Sequence, residues 1–365
     1  MFRLVPIVAA LVVCSGAAAT DDASGWCRAP QPASWKRIVA GSVVGLSRHA
    51  SVLPIVGAND GRSFLAELYS PSFSGVVRID ARTSRVTRIR RFPSARNDQA
   101  DGSWDGRWLV WNEYHSLSDD FADFTTFAWD SRSGRVTQIG AAKRDPDGNF
   151  WPSGWRQPDV RNGFATWTQG TGPDDESELH VYDLARSRDR VVRRGHPQGS
   201  FFVNGPTVIW SESLTRGALT KMLAADARTG NSLPPPPALA HLRGISGLFT
   251  DGHALAYPSA RFTSLWWSPS LGGTPRLIFK PRKAVNHIEN GVRIAARYVI
   301  FSDTGKGYLA DTHVRRYVEL GVDPVAVDRH ALIVSSWTKG KTLHPRNRIS
   351  FVPVRSLPRL ARCAG

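Results

Sequence analysis

One short phrase recurs along this chain about every 45 residues, and it constrains the fold more than any other feature. The phrase is a polar turn, a short apolar strand and then an aromatic residue, as in Asp105 to Trp111 and Asn162 to Trp167. The aromatic positions of five copies lie 56, 43, 47 and 44 residues apart: Trp111, Trp167, Trp210, Tyr257 and Phe301. A repeat of this length is typical of a four-stranded sheet that recurs around a ring, as in a β-propeller.

Two less regular copies extend the series at both ends. Asp60 to Ala66 fits 45 residues before Trp111, and Asp328 to Val334 fits 33 residues after Phe301. The chain therefore contains seven copies. Helical spacing of apolar residues is hardly visible along the chain, which favours an all-β fold.

A second phrase follows the first in most copies, namely an apolar strand that ends in Asp, a polar turn and another apolar strand. Clear cases end at Asp80, Asp130, Asp183 and Asp226, and a weaker one ends at Asp311. Asp bonds the backbone of a tight turn, and Gly or Ser accepts the geometry of that turn. Two hairpins per repeat make a four-stranded antiparallel blade. The sequence predicts a single seven-bladed β-propeller, although six or eight blades also fit the irregular spacing.

The two ends of the chain are predicted to close the ring. The seventh copy shows only three strands, so we expect Trp35 to Val39 to supply its missing outer strand. Cys27 and Cys363 flank these segments, and in an exported protein such a pair favours a disulfide. Two separate thiols are the alternative. Pro234 to Pro237 fall where the outer strand of the fourth blade is expected, and predict an irregular edge there.

The first residues of the chain have the pattern of an export signal. Residues 1–19 combine Arg3, the apolar run Leu4 to Val13 and the small residues Ala17 to Ala19, which is the pattern of a cleavable signal peptide. An N-terminal segment (residues 20–34), the propeller (residues 35–360) and a short tail (residues 361–365) follow. We therefore expect a secreted or envelope-associated protein without a transmembrane segment, because the apolar run is too short to span a bilayer. Lipidation at Cys14 is an alternative.

The charge of the chain indicates the chemistry of its partners. The formal net charge is +16, which favours anionic surfaces such as wall polymers or lipid headgroups. The arginines are scattered along the chain rather than clustered. A general bias of the composition towards arginine therefore explains the charge as well as affinity for an anionic partner does. No recognition motif accompanies the charge, so no specific nucleic-acid binding is expected. We predict a monomer whose partner is an envelope protein or an anionic wall polymer.

The blades resemble those of the TolB-like β-propeller superfamily. The likeness is clearest in Gln157 to Trp167 and in Leu179 to Ala185, and extends over about residues 50 to 355. The fifth copy departs from the pattern at Ser268, where Asp is expected, and the seventh lacks both the aromatic and the Asp. The resemblance implies the fold. It implies no single function, because members of that superfamily include translocation-complex components and peptidase-associated propellers.

Signatures of catalysis and of metal binding are absent from the sequence. It contains no G-x-S-x-G, H-E-x-x-H, P-loop or G-x-G-x-x-G motif, and no Cys/His cluster with zinc spacing. We therefore expect neither cofactor nor metal. Calcium is the alternative, since the long middle loops of the second and third blades, Asn112 to Asp123 and Gly172 to Glu178, are acidic.

Candidate binding residues lie in the loops that lead into the blades and in these middle loops, which share one face of a propeller. They are Asp98, Asp101, Glu113, His115, Asp119, Asp120, Trp155, Arg156, Gln157, Asp159, Asp174, Asp175, His287 and Glu289. The sequence predicts a non-catalytic binding or scaffold module at the cell envelope. The alternative is a propeller lyase or hydrolase acting on an extracellular polysaccharide, with Asp159 or Glu289 near His287 as acid and base.

Overall fold

The structure is a computed structural model that describes residues 25–94, 99–116, 121–152, 157–173, 176–203, 205–213, 220–240, 248–259, 263–280, 292–303, 305–337 and 347–360. Within these residues the strands form seven sheets. Each sheet is a blade of four antiparallel strands, except that the seventh has three and the sixth gains one parallel strand at its outer edge. The predicted all-β, seven-bladed propeller is confirmed.

The first half of the chain contains a short strand, a helix and three blades. The strand is β1 (Cys27–Ala29) and the helix is α1 (Ala33–Gly41). Blade 1 contains β2 (Ser51–Gly57), β3 (Ser63–Ser70), β4 (Phe73–Asp80) and β5 (Val86–Arg91). Blade 2 contains β6 (Gln99–Trp104), β7 (Trp108–Tyr114), β8 (Phe124–Asp130) and β9 (Val136–Ala141). Blade 3 contains β10 (Asp159–Arg161), β11 (Phe164–Gly170), β12 (Ser177–Asp183) and β13 (Arg188–Gly195).

The second half contains the other four blades. Blade 4 contains β14 (Pro197–Val203), β15 (Thr207–Ser213), β16 (Thr220–Asp226) and β17 (Ser232–Leu233), and the helix α2 (Pro237–Ala240) follows it. Blade 5 contains β18 (Phe249–Thr250), β19 (Leu255–Pro258), β20 (Leu265–Ser268) and β21 (Arg276–Phe279). Blade 6 contains β22 (Arg293–Ala295), β23 (Tyr298–Asp303), β24 (Lys306–Asp311) and β25 (Arg316–Glu319). Blade 7 contains β26 (Asp323–Val327), β27 (Ala331–Trp337) and β28 (Asn347–Pro353), and a 3₁₀ turn, Val354–Ser356, ends the described secondary structure.

The Asp residues of the repeat hold turns and also join blades. One Asp105 carboxylate oxygen accepts the backbone N–H groups of Arg107 and Trp108 at 2.9 and 2.8 Å, which closes the turn between the first and second strands. Its other oxygen accepts the backbone N–H of Gly163 in the same turn of the next blade, at 3.2 Å. Asp251 likewise reaches the next blade. These bonds place the turns of neighbouring blades side by side.

The aromatic residues of the repeat lie in the second strands of blades 2 to 6 and are buried between sheets. Trp111, Trp167 and Phe301 are no more than 2% exposed. The indole of Trp167 lies against blade 2, because a Cβ added at Gly140 would come within 2.8 Å of it. The aromatic that defines the repeat is therefore a packing residue, as expected for the large apolar area that it removes from water.

The predicted closing strand at Trp35 to Val39 is wrong in its secondary structure. These residues belong to the helix α1, in which Trp35 is buried. Trp35, Ile38 and Val39 have helical i, i+3, i+4 spacing and join one apolar cluster, which explains the helix. The N-terminal segment still completes blade 7, because Val43 forms an antiparallel bridge with Ser350 in β28.

Two side chains at opposite ends of blade 7 seal the ring. The amide of Asn347 accepts the backbone N–H of Val52 at 2.9 Å and donates to its carbonyl, as a neighbouring strand would. Asp328 accepts the backbone N–H of Asn59 at 3.1 Å. Between these bonds one apolar cluster joins blades 7 and 1. The first and last blades are therefore held by polar bonds at both ends and by a shared core.

The predicted irregular edge of blade 4 is confirmed, since β17 has two residues and the prolines lead into α2. Cys27 is buried in β1, which pairs with β25 of blade 6. Cys363 lies outside the described residues, as do the signal peptide and Cys14. The disulfide thus stays a prediction. One apolar cluster contains both Ala29 and Leu360, which lie close to the two cysteines in the sequence.

Candidate functional site

The two ends of the blades form two faces with different sequences. The loop face carries the loops between second and third strands together with the segments that lead into each blade. The turn face carries the short turns between first and second strands and between third and fourth strands. Of the fourteen predicted binding residues, five are described and lie at the loop face. The other nine lie outside the described residues: Asp98, Asp119, Asp120, Trp155, Arg156, Asp174, Asp175, His287 and Glu289.

Two of the described candidates meet a glutamate that the sequence analysis did not select. Asp101 is on the inner strand β6 and Glu113 is on β7 of blade 2, while Glu67 is on β3 of blade 1. Glu67 is 5% exposed and Glu113 is fully buried. We call these three residues the blade 1–2 acid cluster. It brings together carboxylates that are 34 and 46 residues from Glu67 in the sequence.

The environment of Glu67 keeps a proton on its carboxyl group at neutral pH. Burial raises its pKa from 4.5 to about 8. Hydrogen bonds from the Tyr69 hydroxyl and from the backbone N–H of Ala100 oppose this rise, and the nearby charges of Asp101 and Glu113 add to it. A neutral carboxylic acid can donate a hydrogen bond or a proton, which an ionised one cannot do.

Glu113 is held by groups of both blades. Burial raises its pKa, and the guanidinium of Arg90 and the indole N–H of Trp111 oppose that rise. Arg90 Nε lies 2.8 Å from Glu113 Oε1 and the Trp111 Nε1 lies 3.1 Å from the same oxygen. The Arg90 guanidinium also stacks 3.9 Å from the ring centre of Phe127. Glu113 therefore anchors the outer strand of blade 1 to blade 2.

Three other predicted residues also make structural bonds. Asp159 Oδ2 accepts the backbone N–H of Phe202 in blade 4 at 2.6 Å, and burial raises the pKa of Asp159. Gln157 donates its side-chain amide to the carbonyl of Gly102 in blade 2. A ring nitrogen of His115 lies 3.1 Å from the Thr125 hydroxyl. The predicted approach of Asp159 to His287 stays a prediction, because His287 lies outside the described residues.

A second group of charged residues joins blades 2, 3 and 4. Burial alone would raise the pKa of Glu178, but Lys143 and Arg194 hold it below its usual range. The Lys143 ammonium lies 2.7 Å from one Glu178 oxygen and Arg194 Nε lies 2.8 Å from the other. Arg193 of blade 3 likewise bonds Glu212 of blade 4. These acids lie where β12 begins and β15 ends, at the loop face.

His180 is a further buried group that the sequence analysis missed. Its ring stacks on Trp167 with centroids 5.0 Å apart, and Nδ1 lies 2.8 Å from a carboxylate oxygen of Asp189. Glu178 lies 3.6 Å from Nε2. The stacking and the Asp189 bond hold the imidazole inside blade 3.

The sequence carried one signal for Glu67. In five blades the Asp that ends the third strand pairs with a residue of the second strand. The residue four positions after that partner is Glu67 in blade 1, and it is Asn112, Thr168, Ser211 and Ser302 in blades 2, 3, 4 and 6. Those positions are polar but uncharged. A carboxylate at this repeat position marks blade 1 as unusual.

No group of three or more His, Cys, Asp or Glu in the described residues is arranged to hold a metal ion. The two acidic loops considered for calcium extend outside these residues, so a calcium site there stays a prediction. No helix in the same part of the chain is long and apolar enough to cross a membrane.

The sequence matches no protein-family model and no curated protein. Among solved structures, an oligogalacturonate lyase in complex with manganese is 11% identical with a TM-score of 0.55, over 84% of this chain and 91% of that one. Oligogalacturonate lyase from Vibrio parahaemolyticus is 10% identical with a TM-score of 0.53, over 85% and 93%.

A prolyl endopeptidase structure is 16% identical with a TM-score of 0.52, over 86% of this chain. This chain spans about half of it, 48%. TolB from Acinetobacter baumannii reaches a TM-score of 0.42, which is too low to support an argument. Identities this low show the fold alone. The expected propeller fold is thus confirmed, and the narrower likeness to TolB-like proteins stays a prediction.

Proposed function

We propose that this chain is an exported, non-catalytic β-propeller that acts as a binding module at the cell envelope. The signal-peptide pattern of residues 1–19 supports export. The state of the described acids on the loop face supports a binding role rather than a chemical one.

One observation carries the proposal: loop-face carboxylates are engaged in bonds between blades. Glu113 binds Arg90 of the preceding blade, Asp159 binds the backbone of the following blade, and Glu178 binds Lys143 at the end of the preceding blade. A catalytic acid or base must exchange its proton with a substrate within hydrogen-bond reach. These acids instead make the ring rigid, which suits a platform that presents loops to a partner.

The test measures binding and turnover in one experiment. The chain without residues 1–19 is incubated with immobilised polygalacturonate, peptidoglycan and a neutral glucan, and both retained protein and released sugar ends are measured. We expect retention on at least one polymer without release of any product. Product release above that of heat-inactivated protein would contradict the proposal. Mass spectrometry of protein secreted by its native host should place the new N-terminus after Ala19.

The blade 1–2 acid cluster favours a second candidate, a propeller lyase or hydrolase acting on an anionic polysaccharide. Glu67 holds a proton at neutral pH near Asp101 of the inner strand β6. One acid could donate a proton to a leaving group while the other accepts one. Two solved propellers of similar length are oligogalacturonate lyases, which adds support from fold analogy.

Two conservative variants and a control separate these candidates. If the second candidate is right, Glu67→Gln and Asp101→Asn each abolish product release while retention on the polymer stays intact. Glu176→Gln removes an exposed carboxylate from the same face and should leave release unchanged. Release that survives both cluster variants would exclude the acid cluster as the catalytic centre.

A further inference from the structure

The turn face has a charge pattern that is built into the repeat itself. In three blades the third strand ends in Asp, and the second residue after it is Arg: Asp80 and Arg82, Asp130 and Arg132, Asp226 and Arg228. Each Asp accepts the backbone N–H of its Arg, at 3.1, 3.0 and 2.8 Å. The Asp carboxylate thus holds the backbone of the turn, and the Arg side chain lies at the tip of the same turn.

Two carboxylates of this face lie deeper than its arginines. Asp130 is 6% exposed and Asp328 is 3% exposed, because their oxygens point to backbone N–H groups. The arginines of the turns are exposed. At these two turns a partner meets guanidinium groups before the carboxylates, and the exposed Asp60 and Asp189 of the same face are outnumbered by the exposed arginines of the turns. At physiological salt, screening limits charge interactions to a short range. The outermost charges therefore contribute more to the attraction of a partner than the net charge of the whole face does.

These arginines are spread around the ring. Six blades each contribute an exposed arginine from a turn: Arg82, Arg132, Arg186, Arg228, Arg315 and Arg329. The turns of neighbouring blades adjoin, as the hydrogen bond from the backbone N–H of Asn59 to Asp328 shows for blades 7 and 1. A linear polymer that crosses such a ring touches only some of the arginines at once. An extended anionic plane can touch all of them.

We propose that the turn face docks on an anionic lipid bilayer. The proposal rests on the proposed function as an envelope binding module and names the partner of one face. Charge complementarity and the ring arrangement carry it. Leu233 is the one exposed large apolar side chain among the described residues, so binding is electrostatic and at the surface, without insertion. It should weaken steeply as the salt concentration rises.

The test compares two triple variants of the chain without residues 1–19. The turn-face variant is Arg82→Ser, Arg132→Ser, Arg228→Ser. The control is Arg48→Ser, Arg144→Ser, Lys280→Ser, which removes three exposed charges that lie before the first strand of blade 1 or after the last strands of blades 2 and 5, at the loop-face end. Both variants lose the same net charge. Their far-ultraviolet circular dichroism and denaturant midpoints establish that both are folded.

Binding is measured by flotation with vesicles of phosphatidylglycerol and phosphatidylcholine, and with vesicles of phosphatidylcholine alone. The unmodified chain should bind only the anionic vesicles. Three arginines near an anionic surface contribute about 1 kcal/mol each, so the turn-face variant should bind roughly 100-fold more weakly. The control should bind within about threefold of the unmodified chain, because distant charges are screened.

Two results would overturn the proposal. Equal losses in both variants would show that diffuse net charge attracts the vesicles rather than the turn face. Displacement from the vesicles by soluble polygalacturonate or by DNA at equal charge concentration would assign the face to a linear polyanion. Neither result depends on the turnover assay, so failure here is distinguishable from failure of the proposed function.

Discussion

Replacing Glu67 with glutamine should change how the stability of the protein depends on pH. The folded protein holds Glu67 at a pKa of about 8 because the carboxyl is buried, whereas the ordinary value is 4.5. Above the ordinary value the unfolded chain is ionised and the folded protein is still neutral. The glutamate therefore disfavours the folded state increasingly as the pH rises from about 4.5 to about 8.

The size of the effect follows from the difference in pKa. Each pKa unit corresponds to about 1.4 kcal/mol. Ionisation of Glu67 in the unfolded chain therefore makes the free energy of unfolding at pH 7 about 3 kcal/mol lower than at acidic pH. A glutamine side chain at this position has nearly the same volume as the glutamate and cannot ionise. Its amide oxygen still accepts a hydrogen bond from Tyr69 or from the backbone N–H of Ala100, the two donors that contact Glu67.

Urea unfolding followed by tryptophan fluorescence measures this difference directly, since the chain has 13 Trp. The free energy of unfolding of Glu67→Gln minus that of the unmodified chain should rise by about 3 kcal/mol between pH 5 and pH 8, after which it levels off. Glu176→Gln is the matched control at an exposed position and should show no such slope. A difference for Glu67→Gln that is the same at pH 5 and pH 8 would refute the reasoning.

Three further changes test the ring and its closure. Asp328→Ala removes the acceptor of three backbone N–H groups, one of them in blade 1, and should lower the free energy of unfolding by about 3 kcal/mol. Gly140→Ala should cost about 2 kcal/mol, because its Cβ would lie 2.8 Å from the indole of Trp167. A non-reducing peptide map should contain a Cys27–Cys363 link, and its reduction should lower stability by a few kcal/mol.

Each of these changes has a comparison within the chain. Asp147→Ala removes an exposed aspartate and should leave stability nearly unchanged, as should Gly41→Ala, where an added Cβ meets nothing within 4 Å. Equal losses of stability in Asp328→Ala and Asp147→Ala would show that the hydrogen bonds of Asp328 are not the cause. Equal losses in Gly140→Ala and Gly41→Ala would show the same for the contact with Trp167. Separate alkylation of the two cysteines without reduction would contradict the disulfide.

Local signals in the sequence predicted most of the fold. The turn aspartates were recognisable because each bonds backbone groups two or three residues away, as Asp105 bonds Arg107 and Trp108. The segment from Trp35 to Val39 was mispredicted as a strand because it is short and rich in β-branched residues. The helical spacing of Trp35, Ile38 and Val39 is local, but the packing of Trp35 against blades 6 and 7 that stabilises the helix depends on the tertiary structure.

The candidate site was less predictable than the fold. Asp101 and Glu113 were selected from their positions in the repeat, but Glu67 was overlooked inside an apolar strand. The pKa values of Glu67 and Glu113 are raised because β3 of blade 1 packs near β6 and β7 of blade 2, where both carboxyl groups are buried. His180 was missed for the same reason, and Glu178 was recognised only as the end of an acidic loop. Their partners Trp167, Asp189, Lys143 and Arg194 come from other strands.

The sequence by itself determined the all-β class, the repeated blade and the chemistry of the turns, because turn hydrogen bonds and strand alternation involve residues that are close in the chain. Only the tertiary structure decided which carboxylates meet and which of them keep a proton. Burial and the charges of residues on neighbouring blades set the pKa of Glu67, and both depend on how the sheets pack around the ring. A turn arginine is likewise visible in six of the seven repeats, but the arrangement of these arginines as a ring on one face exists only after the blades have closed.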